Sequence, residues 1–107
     1  MEDLEKNWKK IINQLEKKFD DEISLKGILY LIGVQELNFG IKEFSREDKI
    51  NVLHVATCKL LSSYGYYKFD SVDDEGWPHY KELKPLKNLS AKEQQKLIKI
   101  AIIKYLN

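Results

Sequence analysis

Cysteine is almost absent from this chain, and its scarcity closes two routes at once. Cys58 is the only cysteine among 107 residues, so no internal disulfide can form and a zinc site built from several thiolates is excluded. Long apolar runs are missing as well. The longest, Ile28 to Val34, has seven residues and is interrupted by Gly33, whereas a membrane-spanning helix needs about 20. The opening MEDLEKNWKK carries acidic residues and no apolar core, unlike a secretory signal. The expectation is a soluble cytoplasmic protein with no membrane partner. Arginine occurs once against 17 lysines, beside abundant Ile and Asn; that bias points to an AT-rich coding genome and not to a function.

Signatures of catalysis are missing too. The chain has no glycine-rich phosphate loop, no H-E-x-x-H and no G-x-S-x-G, each of which places reactive groups at a fixed spacing. Carboxylates are plentiful, but no pair is marked as sharing a pocket. No catalytic residue can be assigned, an enzyme is the less favoured class, and nothing in the sequence requires a cofactor or a metal.

What is present is a chain of ordinary domain length. Residues 1–107 read as one helical domain, long enough to bury roughly two-thirds of its unfolded surface without staples. The net charge of +1 conceals a segregation. Residues 70–80 hold four carboxylates and no lysine, while residues 81–107 hold seven lysines and two glutamates. Such patches attract each other or an oppositely charged partner, and govern encounter more than fold.

Four segments carry helical periodicity. In residues 2–19, Leu4, Trp8, Ile11, Ile12, Leu15 and Phe19 form one apolar stripe, with Lys17 and Lys18 placed to suit the helix dipole. Residues 24–39 are apolar around most of the circumference, as in a central buried helix; Ser24 suits its start and Gly40 a left-handed stop. Gly27 and Gly33 would each weaken that helix by about 1 kcal/mol, which makes sense where another helix crosses closely. A buried strand at ILYLIGV is the competing reading. Residues 46–61 begin with Ser45 as cap and Asp48 three residues on, with Ile50, Leu53, His54, Thr57, Leu60 and Leu61 expected inside. Residues 91–106 carry a full capping box in Ser90 and Glu93. Leu97, Ile98, Ala101, Ile102 and Tyr105 are expected inside, and Lys92, Lys96 and Lys99 outside with Ile103.

The connection from residue 62 to 89 is too long for a plain bundle loop. It contains YGYYKFDSVDDEGWPHY, residues 64–80, with half of the twelve aromatic residues of the chain. Tyr66–Val72 and Trp77–Leu83 flank a turn-like Asp73–Gly76, which allows a small hairpin. Pro78 in the second arm argues against it, and an ordered loop is the alternative. The fold expected is therefore mainly α: a compact four-helix domain, helix 2 central, with an aromatic-rich loop or small hairpin between helices 3 and 4.

This insert is the natural place for a site. Aromatic residues are enriched in interface hot spots, so Tyr66, Tyr67, Trp77, His79 and Tyr80 are the candidate contacts for a protein partner or for self-association. The competing account makes the same aromatics a satellite core that anchors the insert. A rival class is a small-ligand or metal-binding protein, or an enzyme, with a pocket between helix 3 and the insert. His54 and Cys58, four residues apart, share a helix face there, and His79 would be the third polar group. A core histidine is the plainer reading of His54. DSVDDEGWPHYKE departs from the calcium-loop pattern at its first and fifth ligand positions and puts Pro78 in the apolar eighth. Nucleic acid is disfavoured, because the four carboxylates of residues 70–80 would repel phosphate.

Overall fold

A computed structural model of the chain describes residues 2–19, 24–40 and 42–106. These form α1 (Glu2–Phe19), α2 (Leu25–Leu37), α3 (Arg46–Ser62), β1 (Tyr67–Val72), β2 (Pro78–Glu82), a single 3-10 turn (Leu86–Asn88) and α4 (Ala91–Leu106). The molecule is mainly α, and the insert between α3 and α4 is a two-stranded antiparallel hairpin. Within residues 24–39, Leu25–Leu37 is helical and not a strand. Phe19, expected in the apolar stripe of residues 2–19, has its side chain outside what the structure describes.

Local chemistry explains the helix ends. Ser24 Oγ accepts from the Gly27 amide at 3.0 Å, and Ser45 Oγ accepts from the Asp48 amide at 3.1 Å. At α4 the box is reciprocal: the Glu93 amide donates to Ser90 Oγ at 3.1 Å and the Ser90 amide donates to Glu93 Oε1 at 2.9 Å. At α3 only the serine half forms, since Asp48 is one methylene shorter than the usual Glu. α2 ends earlier than its apolar pattern implies. Asn38, with φ 54°, is the left-handed cap, a conformation Asn tolerates better than most residues. Gly40 also has positive φ but lies beyond the cap.

Two hydrophobic cores share α2 and α3. The first gathers Trp8, Ile28, Ile32, Ala56, Leu60, Leu61, Ala101 and Ile102 from all four helices. The second holds Leu37, Phe44, Val52 and Val55, with Tyr30, Val34, Phe39 and Trp77 packed around it. The hub is α3 and not α2: α3 packs on α2, α4 and both strands, whereas the main partner of α2 is α3. The inner face of α3 is correspondingly rotated from the expected one. Val52, Val55, Ala56, Cys58, Leu60 and Leu61 are buried, while Ile50 is 63% exposed and His54 is exposed. α3 has apolar residues on several sides, so its partners select the buried face.

α1 lies against α4, and this corrects the outer face expected for α4. Lys99 Nζ stands 5.4 Å from the centre of the Trp8 ring and 4.0 Å from Glu5, and Ile103 packs against the first core. Lys92 and Lys96 remain exposed. Across the molecule, the Tyr105 hydroxyl donates to Glu36 Oε2 at 2.5 Å, and Lys59 Nζ is 3.7 Å from Glu36 Oε1. One carboxylate thus ties α2 to α3 and α4. Burial, followed by this bond to Glu36, pushes the Tyr105 hydroxyl up to about 12.

The α2–α3 crossing is close enough to need a glycine. A Cβ on Gly33 would lie 2.3 Å from the Val52 carbonyl oxygen and 2.6 Å from Val52 Cγ1. Gly27 is different: a Cβ there would meet only Ser24 Oγ, at 3.4 Å. The two glycines should therefore respond oppositely in urea unfolding. Gly33→Ala is expected to destabilise by about 3 kcal/mol or more, the upper range for overpacking against backbone. Gly27→Ala is expected to stabilise by up to about 1 kcal/mol through helix propensity.

Candidate functional site

The hairpin is organised by one carboxylate. Asp73 Oδ1 accepts from the amides of Glu75 at 3.0 Å and Trp77 at 2.9 Å, and Asp73 Oδ2 accepts from His79 Nε2 at 2.8 Å. Two backbone bonds close the same loop, from the Asp73 amide to Trp77 O at 2.9 Å and from the Gly76 amide to Asp73 O at 3.0 Å. Gly76, at φ 91°, supplies the turn and lets the tip approach Phe39, whose ring would be 3.1 Å from a Cβ there. Pro78 opens β2 opposite Val72, the strand position that tolerates a missing donor. That is why proline does not prevent the hairpin. The register slips at Asp70, between the Phe69–Tyr80 and Ser71–His79 pairs, as in a β-bulge.

The bonds from His79 and from the Trp77 amide hold the Asp73 carboxyl below its ordinary value. A depressed folded-state value means that the stabilisation is complete above the ordinary carboxylate range. It is lost as pH falls through the lowered value.

The candidate contact residues fall into two groups. Trp77 faces inward: its ring meets Phe39 edge-on with centroids 5.5 Å apart and Phe44 at 6.1 Å. Tyr66 and Tyr67 pack against the first core, with Lys84 Nζ 4.5 Å above the Tyr66 ring. These three anchor the hairpin. Tyr80 is half-buried and stacks edge-on with Phe69 at 5.8 Å, and His79 is exposed. The apolar groups that do reach solvent are ones the sequence pattern did not single out: Phe69 is 52% exposed, Val72 57% and Leu83 52%. Alternation could not have found Phe69 and Val72 together, because they are three residues apart and share a face only through the register slip at Asp70. Asp73 was legible, as an Asp three residues before a glycine in a turn.

Between α3 and the insert lies a cleft of about 280 Å³ lined by Asp48, Asn51, His54, Val55, Asp73, Glu75, Trp77, Pro78 and His79. It brings His54 and His79 to one cleft but leaves Cys58 beneath the surface. Cys58 Sγ is 3.4 Å from His54 Nε2 and fully buried. Burial first, then the Glu82 carboxylate, pushes its thiol up to about 11, so the thiol is protonated at neutral pH. His54 is not the core histidine expected; it sits at the surface with the Tyr67 ring edge-on at 6.3 Å. Among the described residues no cluster of three His, Cys, Asp or Glu side chains is arranged to hold a metal ion, and no helix is long and apolar enough to cross a membrane. Burial also raises Tyr67 and Tyr80, each with a further contribution from nearby acidic groups.

No protein-family model matches the chain, and no curated protein or solved structure matches it. The site is therefore read from its own geometry.

Two outcomes follow for the hairpin. Trp77→Ala should cost about 3 kcal/mol in chemical denaturation, the lower end for removing a large core aromatic. Asp73→Ala should speed amide exchange at Glu75 and Trp77, measured by NMR. The same amides in the unsubstituted chain should begin to lose protection only on acidification below the ordinary carboxylate range.

Proposed function

We propose that the protein is a small interaction module without catalytic activity, which presents the 64–80 insert to a protein partner. The observation that carries this reading is the exposure of Phe69 and Val72 on a hairpin held rigidly from behind. Both lie more than half open to solvent, whereas Trp77, Tyr66 and Tyr67 fix the hairpin to the helices. An apolar surface fixed in advance loses little conformational entropy on binding. Each strand also has a single neighbour, so one backbone edge of each is open to an added strand. Of the residues read from the sequence, Tyr80 belongs to the same face as Phe69 and Val72, whereas His79 alternates to the opposite face. Trp77, Tyr66 and Tyr67 support the contact face from behind.

A second reading, a small-ligand site in the cleft of His54 and His79, is favoured by the convergence of two imidazoles and three carboxylates on one concavity. It predicts that NMR signals of both imidazoles shift together with a small polar ligand. Independent or absent shifts count against it.

The interaction reading is tested by placing a photoreactive amino acid at position 69 and, as control, at the similarly exposed Leu106 on α4. Irradiation in cells should give discrete protein adducts from position 69 and not from position 106. Matching adduct patterns would overturn the reading. Phe69→Ala should change stability by no more than about 0.5 kcal/mol, as is usual for surface positions, so a loss of binding would not report unfolding.

A further inference from the structure

The N-terminal half of α3 is a ridge between two recesses of opposite charge. Ile50, Asn51 and His54 are exposed along its crest. On the α2 side lies a groove of about 570 Å³ with Tyr30, Ile50 and Leu53 as apolar lining and Lys26, Arg46 and Lys49 as cations. Among the described residues none of those three cations has an ion pair. On the hairpin side lies the acidic cleft, with Asp48, Asp73 and Glu75. Exposed Glu47 falls between His54 and Asn51 around the helix and so lies on the crest itself. The segregation of charge along the sequence thus reappears as two flanks of one helix.

We infer that this surface is an interface between two copies of the chain, related by a two-fold axis running along α3. This interface is separate from the Phe69 and Val72 face of the hairpin and goes beyond the interaction reading. A patch with opposite charges side by side is self-complementary under a two-fold rotation. The direction of the axis follows from the same geometry. With the axis along α3, rotation carries the basic groove of one copy over the acidic cleft of the other, and the reverse pairing forms at the same time. With the axis across α3, basic would face basic and acidic would face acidic. Only the first arrangement satisfies both flanks. The 63% exposed Ile50, which lies where the crest meets the basic groove, is covered in such a pair, and the charges lie on either side of the ridge. Such charges chiefly set encounter rate and orientation, so association weakens as salt is added.

Sedimentation of the full chain from micromolar to millimolar concentration reads the mass directly. The expected result is a monomer–dimer equilibrium that shifts toward monomer with rising salt. Lys49→Glu and Glu75→Lys should each weaken the dimer by at least about tenfold, since each places like charges opposite one another twice. Both side chains are exposed, and circular dichroism confirms that each variant is folded. The decisive sample is an equimolar mixture of the two single variants. In a mixed dimer, glutamate at position 49 of one copy faces lysine at position 75 of the other, and lysine at position 49 faces glutamate at position 75. Every pair is then attractive, and association should return toward the unsubstituted level. An Asn51→Cys variant adds a second readout: an axis along the ridge brings position 51 near its own copy, so oxidation should give a disulfide-linked dimer. A strictly monomeric chain throughout the range overturns the inference, as does a mixture that associates no better than its components. A monomer that still gives adducts from position 69 would remove this inference and leave the interaction reading standing.

Discussion

Everything in this fold hangs on how closely α2 approaches α3. The absence of a side chain at Gly33 lets the helix surface settle directly on the Val52 backbone. That approach draws Ile28 and Ile32 into one core and Leu37 into the other, so a single contact sets the spacing of both. It also brings the segment after α2 over the α3 surface, where Phe39 and Phe44 form the seat for Trp77. A wider crossing would open that seat. The hairpin would then lose its largest anchor, and a two-stranded ribbon has little stability of its own.

The hairpin is stabilised from two directions. From below, aromatic rings bury area against the helices. From within, Asp73 gathers two amides and an imidazole into one turn. These devices are separate in kind, one apolar and one polar, and they meet at Trp77, whose ring packs below while its amide bonds Asp73. Their joint effect is that exposed Phe69 and Val72 occupy a defined surface instead of a wandering strand tip. Held this way, the residues that meet solvent carry little of the folding energy and are free to vary in chemistry.

Much of the architecture was legible in the sequence because its determinants are local. Ser90 with Glu93, and Ser45 before an apolar run, fix helix starts through bonds spanning three residues. The stripe through Trp8, Ile11 and Leu15 announces α1 through period alone. What failed to show was everything decided by a distant partner. α3 carries apolar residues on several sides, so its period does not reveal that Val52 and Val55 go in while Ile50 stays out. Likewise, Lys99 reads as a surface lysine until α1 is laid across it. Trp77 finds its partners at Phe39 and Phe44, more than thirty positions earlier, and nothing in the spacing of the insert encodes that. The cleft between α3 and the insert is lined by both histidines. Cys58 falls below it, because rotation of α3 follows its packing and not its own pattern.

The two tryptophans divide the molecule between them. Trp8 belongs to the core shared by the four helices, and Trp77 to the one beneath the hairpin. Each indole therefore reports on a separate oily interior, and the pair makes the chain its own two-channel optical probe. Removing one emitter isolates the other, so loosening beneath the ribbon can be watched apart from melting of the bundle without attaching any dye.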